Sequence, residues 1–432
     1  MTIKVNTFIN TSVKDYALDV LYNRAIPSFE DGLKPTKRRI LYTAFKTGYN
    51  VEKKTLPLVG YTVAETDYKH GNTSIEDSIN NLAKNYMPYN NLPMFVSENS
   101  FGNRLSPEAP ACRYTSLKLS NHFTNIFKKD IELLEYNEDN FYKYFLPLIP
   151  FTIINGESGI ATGFSCNIYG RNIKEVIEYI TSYINGDKYE KEILPFFNGF
   201  TGKIGYDKEK DNFFYVIPLK RRGNLVIIDE ISPFDKRENF IVLLNKYKED
   251  KKIDYVDESN ENPNFKIRLK ENFTDDEVIS MFKLNRNFSK DNITIAKDNN
   301  IRIYKNIKEY LNDWVDWRLI IFDNKIKYNM DEIKNKANEV KSIFKFIKTC
   351  INELDFTNIK KSNYIDIIDK LNLKEYRRKL IDIPIYNFSQ EGLYDLKNKY
   401  DTLKKEYIDE KNKIGKNEYL KELNNLLSIY GK

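Results

Sequence analysis

A row of apolar side chains in the last third of the sequence limits the available folds more than any other feature. Ile326, Met330, Ile333, Ala337, Val340, Phe344, Ile347, Ile351 and Leu354 follow one another at alternating spacings of four and three. That heptad rhythm keeps one stripe on one face of a long helix and requires a partner helix to cover it. A second run, Leu393, Leu396, Tyr400, Leu403 and Tyr407, has similar spacing and can return antiparallel along the first. Residues 357–392 lie between them and carry Ile367, Ile368, Leu371, Leu380, Ile383 and Pro384, which predicts a compact tip. Taken alone, this is a helical hairpin with no further role.

A hairpin cannot bury the rest of a 432-residue chain, so two or three domains are expected. Hydrophobic residues at 41% and charged residues at 30% suit a folded soluble protein. A net charge of +6 does not by itself indicate a polyanionic partner, although a local basic stripe can bind phosphates on a nearly neutral protein. Cys112, Cys166 and Cys350 are odd in number and far apart, which points to free thiols in a reducing, cytoplasmic setting. With His70 and His122 as the two histidines, they make no zinc-site spacing. Residues 1–6 lack the apolar core of a signal peptide, and the most apolar run, 145–154, is short and broken by prolines. No membrane association is expected.

Near the start, Asn10-Thr-Ser12 can cap a helix whose inner face is Val13, Ala17, Val20 and Leu21, ending at Arg24-Ala-Ile-Pro27. After the turn Asp31-Gly-Leu-Lys-Pro35, residues 36–45 predict a second helix with Ile40, Leu41, Ala44 and Phe45 inside. Lys34, Lys37, Arg38 and Arg39 crowd its N-terminal end, where the helix dipole favours acids, so an external anion is expected there. The bland alternative is a solvated basic face. Tyr68-Lys-His-Gly71 is a turn into a third helical segment, 73–83, followed by short strands from about Leu92 to Phe101. Helix, turn, helix and strands outline a winged-helix unit. From Leu148 to about residue 300 short strands alternate with charged turns, with residues 213–218 and 225–231 as strand candidates.

Arg113-Tyr114 follows the small-residue run Ala109-Pro-Ala-Cys112. A phenol ionises near pH 10 and is a weak nucleophile at neutrality, but adjacent cations can favour the phenolate and neutralise charge on a phosphate. Arginine suits that task because its planar fork is always charged. Against this, Tyr114 is one of 31 tyrosines and could simply pack at an element's edge.

Arg24-Ala-Ile-Pro27, Asp31-Gly-Leu-Lys-Pro35 with Arg38-Arg-Ile-Leu-Tyr42, His70-Gly71, Phe101-Gly102, Arg113-Tyr114 and Asn155-Gly-Glu-Ser-Gly-Ile-Ala-Thr-Gly163 stand in one order. In that order they resemble type IIA DNA topoisomerases, the gyrase A and topoisomerase IV A class, and within it the form found in T-even-type phages. The resemblance implies an α+β multidomain fold. Residues 1–147 would be a winged-helix breakage–reunion domain, 148–300 an α/β tower, and 301–432 a long antiparallel coiled coil whose tip, 357–392, dimerises as an exit gate.

It further implies that Tyr114 is the nucleophile, forming a 5′-phosphotyrosyl link, with Arg113 beside it, Arg24 near the scissile phosphate and His70 stabilising phosphoryl transfer. Lys34, Lys37, Arg38 and Arg39 would contact DNA, and Ile160 would wedge between base pairs. Lys37 stands where bacterial relatives often have histidine. Mg²⁺ and ATP are expected on a separate ATPase and metal-binding subunit, since this chain shows neither a phosphate loop nor an acidic cluster. The implied partners are double-stranded DNA and a second copy of the chain. Because the sequence ends after the coiled coil, relaxation and decatenation without negative supercoiling are expected. An architectural winged-helix protein without enzymatic activity and a metal-dependent nuclease are the alternatives.

Overall fold

The computed structural model describes residues 9–354 and 361–431. They form two compact units, one running to Asp316 and taking the chain up again from Glu422, the other Trp317–Lys421.

The first unit opens with α1 (Lys14–Val20), flanked by short π-helical turns at Ile9–Val13 and Leu21–Ala25. Its expected inner face is covered at the C-terminal end, where Leu21 is buried, whereas Val13 is exposed. α2 (Pro35–Lys46) starts on a proline whose fixed φ suits the first helical position and whose missing N–H costs nothing there. Its Ile40, Leu41 and Ala44 are fully buried, as their spacing predicts. β1 (Lys53–Lys54) leads into α3 (Thr55–Thr66), a helix that sequence patterning hides because Pro57 and Gly60 lie within it. Pro57 falls in the first turn, where it is tolerated, and Leu58, Val59 and Thr62 supply the buried face. α4 (Asn72–Ala83) buries Ile75, Ile79 and Leu82. β2 (Phe95–Val96) and β3 (Ser116–Leu119) complete an antiparallel sheet in the order β1-β3-β2. This is a winged helix, with less strand between Leu92 and Phe101 than expected. Under it, after α5 (Asn121–Ile126), Phe123, Phe127, Phe145 and Phe151 pack with ring centroids 4.9 to 5.9 Å apart.

A short helix, α6 (Phe151–Asn155), turns directly into the hairpin β4 (Gly156–Ala161) and β5 (Phe164–Tyr169), followed by α7 (Ile173–Asn185). Next come β6 (Lys203–Asp207), β7 (Asn212–Val216), β8 (Lys220–Arg222), β9 (Leu225–Ile228), α8 (Arg237–Glu249), β10 (Ile253–Asp257), β11 (Phe265–Leu269), α9 (Asp275–Met281) and β12 (Asn285–Phe288). They make two antiparallel sheets, β12-β7-β6 and β10-β11-β9-β8. β11 alternates strictly, Phe265, Ile267 and Leu269 inward against Lys266 and Arg268 outward, so one face meets the core. That core joins Tyr215, Val226, Phe240, Leu244, Ile267 and Val278 from both sheets and both helices. A hairpin of β13 (Ile293–Lys297) and β14 (Asn300–Tyr304) precedes α10 (Ile307–Glu353).

In the first turns of α10, buried Trp314 donates from Nε1 to the Glu30 carbonyl at 3.2 Å. Burial pushes the Glu30 carboxyl up to about 7; a backbone hydrogen bond partly offsets this and the charges of Asp31 and Asp298 add to it. A raised carboxyl pKa means that the folded state holds its proton after the unfolded chain has lost it. Stability from this group is therefore intact below about 4.5, falls between 4.5 and 7, and stays reduced above. Glu30→Gln should remove a penalty of about 3 kcal/mol at pH 8 and change little at pH 4.5. Denaturant midpoints of both proteins at the two pH values check this.

In the second unit the heptad stripe of α10 faces inward: Val340 and Ile347 are buried, and Ile326, Met330, Ile333, Ala337 and Phe344 are half-buried. Ile351 is the exception, being 37% exposed while Cys350 is buried. At that level the helix meets the tip, and Phe346, Ile347 and Cys350 pack with Ile367, Ile368 and Leu380 of α11 (Lys361–Lys370) and α12 (Arg377–Ile381). The expected tip segment at 357–360 lies outside the described residues. On α13 (Gln390–Lys411) Leu403 is buried, and Leu393, Leu396, Tyr400 and Tyr407 are half-buried. Leu393 and Leu396 pack near Phe346, Asn329 donates to Glu410 at 2.8 Å, and Phe322 stacks on Tyr419 of α14 (Gly415–Tyr430). The return is therefore antiparallel. No helix among the described residues is long and apolar enough to cross a membrane.

Candidate active site

Tyr114 ends a tight turn, Cys112–Tyr114, that enters β3, and its N–H donates to the Ala111 carbonyl at 2.9 Å. The turn alternates in exposure. Cys112 and Thr115 are buried, whereas Arg113 is exposed and Tyr114 is 69% exposed. Thr115 is clamped to the start of α3: its Oγ1 donates to Thr55 Oγ1 at 2.8 Å, and Thr55 N donates to the Thr115 carbonyl at 3.0 Å. Burial, then a contact with Glu76, pushes the Cys112 thiol up, so it packs as a neutral group beneath the turn. The Arg113 guanidinium lies 5.9 Å from the centre of the Tyr114 ring. Fixed backbone below and free side chains above are what a nucleophile with an adjacent cation requires. The reading of Tyr114 as a packing residue does not fit this exposure.

The basic start of α2 is arranged differently from the expectation of four phosphate contacts. Arg38 is 5% exposed. Its Nε and Nη2 donate to the two oxygens of Asp31 at 2.6 and 2.9 Å, and Nη2 also reaches Ser28 Oγ and the Leu33 carbonyl. Asp31, fully buried, additionally accepts from the N–H groups of Leu33 and Phe145. Arg38 thus holds the fold together within the single chain. Arg39 is also engaged: it donates to the Thr66 carbonyl, pairs with Asp139 at 3.0 Å and stacks 4.3 Å over Phe141. Both guanidiniums are spent on partners that a local reading of the helix cannot see.

Lys34 and Lys37 keep an accessible edge on a cleft of about 560 Å³, shared with Arg24, Ser74, Asn155 and Glu157. Glu157, overlooked in the sequence, is the hub. Lys37 Nζ donates to Oε2 at 2.6 Å, Lys34 Nζ lies 3.3 Å from Oε1, and Lys34 also donates to the Ser158 carbonyl. Burial pushes the Glu157 carboxyl up, but Lys37 and Lys34 outweigh it and hold it below the ordinary carboxylate value. The motif around Glu157 offered one signal, a single carboxylate within a run of small residues. Arg24 is exposed, with no ion pair among the described residues.

Ile160 is 86% exposed on the β4–β5 hairpin. Gly159 lets that hairpin press on the Arg24 turn, since a Cβ there would sit 1.9 Å from the Ala25 carbonyl oxygen. His70 is exposed in the connection into α4, with its ring edge-on to Tyr68 at 5.3 Å. The structure thus gathers Arg24, Lys34, Lys37 and the Ile160 hairpin around one cleft and sets Arg113 beside Tyr114. Among the described residues no hydrogen bond or ion pair joins Tyr114 to Arg24 or His70. No group of three or more His, Cys, Asp or Glu among the described residues is placed to hold a metal ion.

The sequence profile that describes the A subunit of DNA gyrase and topoisomerase IV matches residues 24–427. A mitochondrial DNA topoisomerase 2 of Dictyostelium discoideum is 28% identical over 341 residues, 75% of this chain and 26% of that protein. A DNA topoisomerase 2 of Invertebrate iridescent virus 6 is 24% identical over 427 residues, 94% of this chain and 37% of that protein. The chain therefore spans about a quarter to a little over a third of the length of these relatives. Among solved structures, the DNA-binding, cleavage and re-ligation domain of Plasmodium falciparum topoisomerase II shares the fold, with a TM-score of 0.85. It is 24% identical, and the match covers 98% of this chain and 64% of that one. With the profile covering nearly all of the described residues, the chain belongs to the A-subunit family of DNA gyrase and topoisomerase IV.

Proposed function

We propose that this chain is the DNA cleavage and religation subunit of an ATP-dependent type IIA topoisomerase, acting in the cytoplasm as a homodimer. The observation that carries the reading is the turn at 112–115, which presents Tyr114 and Arg113 to solvent while burying the residues on either side. The Tyr114 oxygen would attack a backbone phosphorus, forming a phosphotyrosyl ester as the bond from that phosphorus to the 3′ oxygen of the neighbouring nucleotide breaks. The phenolic proton leaves to solvent or a base, and the departing 3′ oxygen takes one up. The reverse attack reseals the strand, since the ester retains the energy of the phosphodiester. Arg113 would neutralise phosphate charge, with Arg24 and His70 contributing around the scissile group from their own positions.

Dimerisation at the tip of the second unit is supported by Ile385, Tyr386 and Tyr394, all more than 60% exposed. Mg²⁺ and ATP would be held by a partner chain that carries the ATPase and the metal-binding carboxylates. Ile160 would enter a base step from the hairpin, unstacking it at a cost of a few kcal/mol in return for a bent duplex that contacts more protein. Ile160→Ala should leave Tyr114 chemistry possible while reducing bending, read as lower energy transfer between dyes on the ends of a short duplex. Unchanged bending would remove Ile160 from that role.

The reaction itself is tested by denaturing the reconstituted complex on plasmid DNA and asking whether this chain stays attached to 5′ ends. Free ends would indicate a nuclease, and intact DNA an architectural protein.

A further inference from the structure

The segment 97–115 between β2 and β3 carries Tyr114 and contains almost no regular structure. Its two ends are tied together, Ser116 N donating to Asn99 Oδ1 at 2.8 Å and Ser97 Oγ to the Ser116 carbonyl at 2.5 Å. Its middle reverses at Gly102, where φ is +87° and a Cβ would lie 2.7 Å from the Ser106 carbonyl oxygen. Just beyond, Arg104 leaves the winged helix altogether. Its Nη2 lies 2.5 Å from Glu230 Oε1 and donates to the Ile231 carbonyl at 2.8 Å, immediately past β9. Glu230 is 2% exposed and also accepts from Thr201 N at 2.8 Å, Thr201 Oγ1 at 2.9 Å and Ile231 N at 2.9 Å. This carboxylate therefore binds the tyrosine-bearing segment, the end of β9 and the approach to β6 at one point. A buried ion pair contributes little net stability once desolvation is counted, so this full set of partners has its main effect on geometry.

We propose that Arg104 and Glu230 are positioning residues for strand cleavage. They hold the Tyr114 segment in fixed register with the strand-rich half of the first unit, so that a duplex lying across that unit meets the Tyr114 oxygen at a set place. This role rests on the transesterification proposed above. Neither side chain touches DNA in it, so the pair should govern the rate of the covalent step and leave affinity alone.

The test uses the full chain reconstituted with the partner that supplies the ATPase and metal site, a short labelled duplex, and Mg²⁺. Duplex affinity, single-turnover adduct formation and melting temperature are measured for Arg104→Lys and for the double variant Arg104→Gln with Glu230→Gln. The double variant leaves no lone buried charge, so it should fold. A displacement of about 1 Å can slow a reaction roughly 100-fold, so the double variant should form adduct roughly 10- to 100-fold more slowly at unchanged affinity. Arg104→Lys, which keeps the charge, should recover part of the loss. An unchanged adduct rate in the double variant overturns the proposal. So does a slower rate matched by equal losses in affinity and melting temperature, which would mark a merely structural pair. If the unsubstituted chain forms no adduct, the proposed reaction itself fails, and this role with it.

Discussion

Tyr114→Phe is expected to abolish covalent capture of DNA while leaving binding nearly unchanged. The substitution removes one oxygen from a side chain that is 69% exposed and takes part in no hydrogen bond among the described residues, so nothing in the packing should respond. Cys112 and Thr115, which hold the turn from beneath, are untouched, and melting temperature should stay within experimental error. Chemistry should vanish because Phe has no atom able to form the ester, and the neighbouring Cys112 is buried with its thiol pushed up by that burial. Under the proposed homodimer, mixed dimers with one Tyr114→Phe copy should nick one strand and fail to open both. Denaturant trapping would then give nicked circles with protein attached, and the fully substituted dimer would give none. Double-strand cleavage by Tyr114→Phe would show that another group is the nucleophile.

Arg38→Ala should act on the fold and leave phosphate binding aside. It strands the fully buried Asp31 carboxylate without its cation, leaving the N–H groups of Leu33 and Phe145 as its donors. Breaking one side of a buried pair costs about 3–5 kcal/mol. Against a typical total of about 5–15 kcal/mol that is a large fraction, and for a unit of this size the melting temperature should drop by roughly 5 °C. The same variant should not change the salt dependence of DNA binding by the folded fraction. Thermal unfolding and affinity measured across a salt series separate the two roles. A stable Arg38→Ala protein whose log–log salt slope shrinks by about 0.9 would restore Arg38 as a phosphate ligand. Replacing both partners with apolar residues should cost less than Arg38→Ala alone, because no buried charge is then left unpaired.

The features legible in the chain are those whose cause is local. The heptad stripe is periodic, so Ile326 to Ile347 could be assigned to one helix face before any contact was known, and the antiparallel return on α13 followed from the matching run. The buried face of α2 and the alternation of β11 are likewise written in spacings of three, four and two. α3 escapes the same logic, because Pro57 and Gly60 are read as breakers; their cost depends on the position in the helix and on what covers it. Ile351 departs from its stripe for a related reason, since the surface opposite changes from a partner helix to the tip.

The basic cluster shows the boundary most clearly. Four cations at a helix start called for an anion, and spacing alone pointed that anion outside the protein. The fold instead brings Glu157 to Lys37 across 120 residues, Asp139 to Arg39 across 100, and places Asp31 on Arg38. Sequence records which side chains are charged, because charge belongs to the residue. Which charges remain free for a ligand depends on desolvation and on partners distant in the chain, and those exist only once the backbone has closed on itself.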